Sequence, residues 1–472
     1  MREPADSNNH SRLRERSRRW LLRNLMLPLG DVAYGQGMMR RLRFLERAQW
    51  WDIDRLSANR DSLLAELMKL AWEVPFYRSH MDKAGIKPND IRHPRDLSKL
   101  PIVTKDMLRP GYPHLTTRPT AQKTYEESSS GSTGQNFRVR EDAETAGWYR
   151  ASFLLALEWA GWKIGDPHLQ TGMTLDRRNG RRLKDKLLRC HYVSAYDLTD
   201  ANLDHALDWL ETYNIQHLWG YPGSLYWLAL RALKHGWNRR LHSVVTWGDS
   251  LYPHYRSAIE KAFATKVTDT YGCSEGMQIS AQCGEDDSYH IHTLDVIVEC
   301  LDDQGEPVPA GQAGNLILTR LHAGPMPLIR YQVGDVGVLG GDRRCECGRG
   351  YQIMESVQGR DTDVVITPSG NRLIVHFFTG ILEHFPEIIS FQVVQETKDL
   401  IVLRMVPGVG FSSKTTSKLV TKLEEKGAAD LKIQVDLVTE IVVPPSGKRR
   451  FVISKVSKPF VNETAGLPVH SN

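Results

Sequence analysis

A chain of 472 residues has room for about two or three domains and a large core, and 41% hydrophobic with 25% charged content is ordinary for a soluble globular protein. A net charge of +5, from 61 basic and 56 acidic side chains, is too mild to argue for nucleic acid. Six cysteines (Cys190, Cys273, Cys283, Cys300, Cys345, Cys347) are too sparse for a disulfide framework and fit a reducing cytoplasm.

Most of the basic excess falls in the first 50 residues. Arg-rich residues 11–23 lead into Trp20-Leu21-Leu22-Arg23-Asn24-Leu25-Met26-Leu27-Pro28-Leu29, which Arg23 splits and which is too short to span a bilayer. Basic residues beside Trp and Leu suit a peripheral contact with an anionic membrane through residues 11–30. A helix packed on its own domain, or a tail, fits the composition equally well. Residues 37–86 read as helices, from the apolar spacing of Leu56, Leu63, Leu64, Leu67, Leu70 and Ala71. Val74-Pro75 ends that pattern, and Thr104-Lys105-Asp106-Met107-Leu108 reads as a short capped helix. Residues 141–161 form an apolar helix, with Trp148, Trp159 and Trp162 as core residues.

From residue 164 strand-like and helical runs alternate. Strands at 217–220, 243–246 and 267–272, with helices at 224–235 and 253–263 between them, predict a mostly parallel sheet with helices on its faces. Ligands bind at the carboxyl ends of such strands, where Gly220-Tyr221, Gly248-Asp249 and Tyr271-Gly272 fall. Short β runs at 296–300, 314–319 and 336–339, separated by glycine turns, predict a small antiparallel subdomain. Beyond Gly359-Arg360 the pattern becomes strand, helix, two strands, helix and strand, a compact α+β module. The expected organisation is a basic, amphipathic segment over 1–50, a large α/β domain over 51–359, a small α+β domain over 360–460 and a tail over 461–472.

Four stretches carry candidate chemistry. Glu127-Ser-Ser-Ser-Gly-Ser-Thr-Gly-Gln-Asn-Phe-Arg-Val-Arg140 gathers hydroxyls and glycines that can cradle phosphate, or it is a flexible Ser/Gly linker. It is not a Walker loop, because no Gly-Lys-Ser/Thr closes it. Tyr271-Gly272-Cys273-Ser274-Glu275-Gly276 ends a strand in an aromatic that can stack on a purine and an acid that can hold Mg²⁺, or is a plain turn. In Tyr331-Gln-Val-Gly-Asp335 the acid can accept ribose hydroxyls or serve its own turn. Pro444-Pro-Ser-Gly-Lys448 is a lysine on a glycine-borne loop, which alone is most often a solvated basic loop.

In this order and spacing, with Gly359-Arg360 at the boundary, the stretches resemble the adenylate-forming superfamily of acyl-CoA ligases. Within it the similarity runs to the phenylacetate-CoA ligase and CapK-like branch, over roughly residues 60–460. The resemblance implies the adenylate-forming fold, with a small mobile C-terminal domain. It also implies that Ser129, Ser130, Gly131, Ser132, Thr133 and Gly134 wrap the β- and γ-phosphates of ATP. Ser274 touches the α-phosphate, Tyr271 and Gly272 flank the adenine, and Glu275 ligates Mg²⁺. Asp335 binds the ribose with Arg360 nearby, and Lys448 reaches the α-phosphate during adenylation. Gly248 and Asp249 fall where the family lines its adenine pocket; Tyr221, Pro222 and Ser224 fall at its acyl pocket. Two departures stand out: Gln135-Asn136 replaces the usual Lys or Glu and Pro after the loop, and Thr362 falls where many relatives have a hinge aspartate, with Asp363 beside it.

Cys283, His290, Cys345 and Cys347 are thiols and an imidazole of the kind that hold tetrahedral Zn²⁺, or else buried free thiols, with Tyr289 and His292 as packing residues. The expected function is ATP- and Mg²⁺-dependent activation of a carboxylic acid, aryl acids among those allowed, to an acyl-adenylate. Pyrophosphate leaves, and the acyl group passes by default to CoA. Alternatives are a CapK-like enzyme of surface-polysaccharide assembly with another acceptor, an adenylyltransferase onto a small molecule, and a non-catalytic nucleotide-binding scaffold. The expected setting is cytoplasmic, with or without membrane association.

Overall fold

The computed structural model describes residues 15–129, 137–173, 179–195, 197–322, 324–358, 364–373, 375–382, 384–441 and 451–456. The chain divides into two compact units, one holding residues 203–359 and most residues up to 193, the other holding 194–202 and the residues from 360 on.

In the first unit, helices Met38–Ala48, Ile53–Ala71 and Pro75–Lys83 precede the sheet. The Asp52 carboxylate caps the second by accepting from Arg55 N, and Pro75 starts the third, where its missing N–H costs nothing. The short helix Lys105–Leu108 follows, with the Thr104 hydroxyl as its cap. Strands β1 (Thr124–Ser129) and β2 (Phe137–Asp142) then form an antiparallel ribbon, from Thr124 opposite Asp142 to Ser129 opposite Phe137. Asp142 ends the ribbon and caps the helix Ala143–Trp159, accepting from Thr145 N.

The remaining strands are β3 (His168–Gly172), β4 (Cys190–Ser194), β5 (His217–Gly220), β6 (Ser243–Thr246), β7 (Val267–Cys273), β8 (Met277–Gln282), β9 (Tyr289–Ile291), β10 (Val296–Leu301), β11 (Ala313–Arg320), β12 (Tyr331–Leu339) and β13 (Ile353–Gln358). Among the described residues they make one eleven-stranded sheet in the order β10-β11-β12-β13-β9-β8-β7-β6-β5-β3-β4. β3, β5, β6 and β7 are parallel, as the alternation of short apolar strands and helices requires. From β7 through β8, β9, β13, β12 and β11 to β10 every pairing is antiparallel. The antiparallel strands are therefore the second half of the same sheet rather than a layer apart. The change of direction is made by the turn Ser274-Glu275-Gly276, with Gly276 at φ +77°.

One core cluster packs helices Ile53–Ala71 and Pro75–Lys83 on the antiparallel half, through Leu67, Met81, Ile279, Leu316 and Tyr331. Another packs Met38–Ala48 and Ala143–Trp159 on the sheet, through Leu42, Leu155, Trp219 and Val245. The second unit has a four-stranded sheet built from Ile388–Thr397, Leu400–Pro407, Lys432–Leu437 and Val452–Ser454, with the helices Val375–Leu382 and Ser413–Leu423. No helix among the described residues is long and apolar enough to cross a membrane.

Candidate active site and thiol–imidazole cluster

The turn after β7 places Glu275 inside the protein, 2% exposed. Lys105 Nζ lies 2.6 Å from Glu275 Oε1, and the Tyr331 hydroxyl donates to the same oxygen at 2.9 Å. Burial alone would raise this carboxyl, but Lys105 and Tyr331 hold it down to about 2. A second buried pair supports the turn from behind. Arg320, at the end of β11, donates through Nη1 to Glu141 Oε1 at 2.7 Å and to the Glu275 carbonyl at 3.1 Å. Gly276 faces the Glu141 carboxylate so closely that a Cβ would collide with it. Four segments distant in sequence (Lys105, Glu141, Arg320 and Tyr331) thus fix one acid at a strand end.

Tyr271 lies three and four residues before Ser274 and Glu275 on the same strand end, and its hydroxyl donates to Asp335 Oδ2 at 2.8 Å. Asp335 reaches it because β12 is irregular there: its register with β11 shifts between Asn315 and Ile317, and Gly334 sits at φ +93°. Such bulges re-aim a side chain beside a site. Ser274 is exposed at the tip of the turn. Tyr271, Ser274, Glu275 and Asp335 therefore form one neighbourhood at the carboxyl end of β7.

Gly248 and Asp249 follow β6, the next strand over, with Gly248 at φ +78°. Burial and the neighbouring Asp269 push the Asp249 carboxyl up to about 7, while the Ser250 N–H, 2.8 Å away, opposes them. Tyr221 and Pro222 follow β5, and Trp247 approaches both Tyr221 and Phe153 edge-on at 6.5 and 5.5 Å. Ser224 differs from its neighbours. It is fully buried, bonded to Thr171 Oγ1 at 2.6 Å and to the Tyr221 carbonyl at 2.8 Å, so its hydroxyl ties β3 to the start of the helix that follows β5. Ser130 to Gly134, Arg360, Thr362, Asp363 and Lys448 lie outside the described residues, as does the Ser129 side chain; the β1–β2 ribbon brackets the loop.

Lys105, Tyr331, Glu141 and Arg320 are site residues that the sequence did not single out. Lys105 stands in an ordinary capped turn and Tyr331 in a motif read for its aspartate; nothing in their spacing ties either to Glu275.

A separate cluster gathers where β8 ends and the loop between β12 and β13 crosses β9. The ligand atoms of Cys283, His290, Cys345 and Cys347 all lie within 4.8 Å of one another. Cys283 Sγ and Cys345 Sγ are 3.6 Å apart, and Cys347 Sγ is 3.3 Å from His290 Nε2. A disulfide would need about 2.05 Å, whereas two thiolates on one tetrahedral zinc, each at about 2.3 Å, stand close to 3.8 Å apart. His290 presents Nε2 to the group, and burial, with Arg349 nearby, lowers its imidazole to about 4, keeping it neutral as a ligand must be. Burial raises Cys345 to about 12. Cys347 is lowered despite burial by the Arg349 backbone and side chain. His292 stays outside, stacked on Trp159 at 5.2 Å, and the Tyr289 hydroxyl donates to Asp269 at 2.7 Å. Both serve packing and internal bonding.

Comparison with known proteins agrees with this geometry. Residues 188–323 match the family described as AMP-binding enzyme, and residues 365–455 match the CapK C-terminal domain. Phenylacetate-coenzyme A ligase of Thermus thermophilus is 27% identical over 357 residues, covering 72% of this chain and 78% of that protein. Protein CapK of Staphylococcus aureus is 23% identical over 378 residues, covering 76% and 81%. Among solved structures, 2-hydroxyisobutyryl-CoA ligase with its acyl-AMP and CoA has a TM-score of 0.58 at 20% identity, covering 87% of this chain and 92% of that one, which bears on the fold. The chain thus carries a region similar to AMP-binding enzymes and another similar to the CapK C-terminal domain, and over most of its length it is similar to phenylacetate-coenzyme A ligase and CapK.

Proposed function

We propose that this protein is an AMP-forming ligase that activates a carboxylic acid with ATP. The acid's oxygen bonds to the α-phosphorus, the bond to pyrophosphate breaks, and the acyl-adenylate then passes its acyl group to an acceptor while AMP leaves. The observation that carries the reading is the buried, ionised Glu275 beside Ser274 and the Tyr271–Asp335 pair at one strand end. A non-catalytic scaffold would have no need to hold an ionised carboxylate inside the protein at the cost of burying Lys105 with it.

In this reading Tyr271, Gly272, Gly248 and Asp249 flank the adenine. Asp335 accepts the ribose hydroxyls with Arg360 nearby. Ser129, Ser130, Gly131, Ser132, Thr133 and Gly134, carried on the β1–β2 ribbon, wrap the outer phosphates, and Ser274 touches the α-phosphate. Mg²⁺ held by Glu275 would supply charge neutralisation at the phosphates. Lys105 keeps Glu275 ionised and positioned for that role. Lys448, on the small domain, reaches the α-phosphate, where a cation offsets the negative charge that grows as the acid attacks. Tyr221 and Pro222, with Trp247 and Phe153, line the acyl side, and their rings suit an aryl acid. Ser224 supports that wall from behind.

CoA is the acceptor implied by the ligase relatives. The match of residues 365–455 to the CapK C-terminal domain favours a second reading, a non-CoA acceptor in surface-polysaccharide assembly, because in this superfamily the small domain serves the transfer step. Cys283, His290, Cys345 and Cys347 hold a structural Zn²⁺ that clips β8, β9 and the β12–β13 loop together. Cysteines without a disulfide suit a cytoplasmic setting. A peripheral contact of residues 11–30 with a membrane is part of the same proposal. Pyrophosphate release screened over aryl, fatty and amino acids, with CoA present or omitted, tests the function. Acid-dependent release without CoA, and thioester only with it, is expected; release indifferent to every acid would point to adenylyl transfer instead.

A further inference from the structure

The N-terminal helical segment is built inside out. In a surface helix the apolar stripe faces the core and charge faces water. Here, along residues 15–21, the wide turn Leu22–Met26 and the helix Leu27–Tyr34, three of the four arginines (Arg18, Arg19 and Arg23) turn toward the protein. Arg18 Nη2 donates to the Leu187 carbonyl at 2.6 Å, and Arg19 Nη2 lies 2.5 Å from Asp166 Oδ1. Arg23 pairs with Glu46, and with Glu158 at 3.3 Å. Leu22 enters the core, and Asp31 accepts from Met39 N at 2.5 Å, so the segment is anchored along its length.

Its outward side is apolar. Trp20 is 64% exposed, Leu25 48%, Leu29 62%, Val32 82% and Tyr34 76%. Leu21, Leu25, Leu29 and Val32 follow one another at steps of four, four and three, which makes one stripe. Beside it Arg40, Arg43 and Arg47 form an exposed ridge on the helix Met38–Ala48, with Arg43 bonded to the Arg23 carbonyl and to Asn24 Oδ1. Arg16 is exposed too, and none of these four has an acidic partner among the described residues. A continuous apolar stripe of this size on a protein surface marks a contact.

Residues 1–14 are unsuited to cover it: Met1 and Leu13 are their only large apolar side chains, and three of the fourteen are arginines. A second copy meeting stripe to stripe with the two helices antiparallel would bring the two arginine ridges against each other. An anionic bilayer answers both features, since acyl chains take up the Trp and Leu side chains and headgroups neutralise the arginines. We infer that the outward face of residues 16–34, with the Arg40, Arg43 and Arg47 ridge, docks the enzyme on a membrane surface rich in anionic lipid. This rests on the peripheral contact proposed above and adds the face that makes it and the lipid charge it selects. It would hold the enzyme beside a lipid-borne or membrane-handled acid or acceptor.

Sedimentation of the full chain with vesicles tests it, using phosphatidylcholine alone and an equal mixture with phosphatidylglycerol. The expected result is binding to the mixed vesicles at least about tenfold tighter than to phosphatidylcholine, weakened in 1 M salt where the screening length falls to about 3 Å. The double variant Leu25→Glu/Leu29→Glu should lose at least about tenfold in binding. Arg43→Gln/Arg47→Gln should lose mainly the preference for the anionic mixture. Val409→Glu, at a fully exposed valine of the second unit, should bind as the parent does and controls for added charge. Equal binding to both vesicles would overturn the anionic preference while leaving a peripheral contact. Binding unchanged in the leucine variant would overturn the assignment of the face. Binding to neither vesicle would overturn both, and so would a concentration-dependent dimer that the leucine variant abolishes.

Discussion

Glu275 keeps its charge inside the fold only because Lys105 stands 2.6 Å away and Tyr331 donates to the same oxygen. Its carboxyl, held near 2 against an ordinary 4.5, contributes stability that is present above pH 4.5 and lost as pH falls through 2. Removing one member of a buried pair strands the other, at a cost of about 3–5 kcal/mol. Lys105→Met should therefore lower unfolding free energy at pH 7 by about that amount and depress adenylation with it. A loss below about 1 kcal/mol in a denaturant titration would show that Lys105 is not the counter-charge. Asp295 runs the opposite way. It is buried and bonded to Ser152 Oγ at 2.9 Å, and burial raises its carboxyl from 3.8 to about 6. The unfolded chain ionises first, so stability present below pH 3.8 is lost as pH rises through 6. At about 1.36 kcal/mol per unit this is about 3 kcal/mol. Asp295→Asn keeps the acceptor for Ser152 and should remove that share of the pH dependence, so the variant gains on the parent between pH 4 and 7. Parallel stability–pH curves would contradict it.

At the scale of elements, the strands that carry the site divide by how their burial is achieved. β5 and β6 were legible because Leu218-Trp219 and Val244-Val245 are buried apolar runs between helical stretches. β8 was not, because Gln278, Ser280 and Gln282 are polar residues of a wholly buried strand. Tertiary bonds satisfy the glutamines: Gln278 Nε2 donates to the Tyr271 and Ser280 carbonyls, and Gln282 Nε2 to the Asp287 carbonyl. Tyr271, Glu275 and Asp335 could be read from their motifs, whereas Lys105 and Arg320 reach Glu275 only through the fold. The four residues Cys283, His290, Cys345 and Cys347 could be named from residue type; that they meet within 4.8 Å depends on β9 lying between β8 and β13. Metal analysis should find about one zinc per chain. Chelation, or Cys345→Ser, should lower thermal stability and loosen the β8–β9–β13 region in hydrogen exchange. Metal-free protein of undiminished stability would leave the four as buried thiols and a packed histidine.

The whole molecule joins a mixed eleven-stranded sheet, with a buried carboxylate at one strand end, to a separate α+β unit. The element pattern of the sequence changes near residue 360, and the longest segment of the second unit starts at Arg360. The N-terminal segment was legible in composition but not in orientation, because no periodicity told which way its arginines face. Arg18, Arg19 and Arg23 face inward, each held by an acid or a carbonyl from elsewhere in the chain. Lys448 is the residue proposed to offset the charge that grows at the α-phosphate as the acid attacks. Exchange of labelled pyrophosphate into ATP, measured with an activating carboxylic acid in the parent and in Lys448→Ala, tests it most directly. Acid-dependent exchange in the parent and a loss of at least about a hundredfold in the variant are expected, with unfolding stability unchanged. Exchange at the parent rate in Lys448→Ala would contradict it.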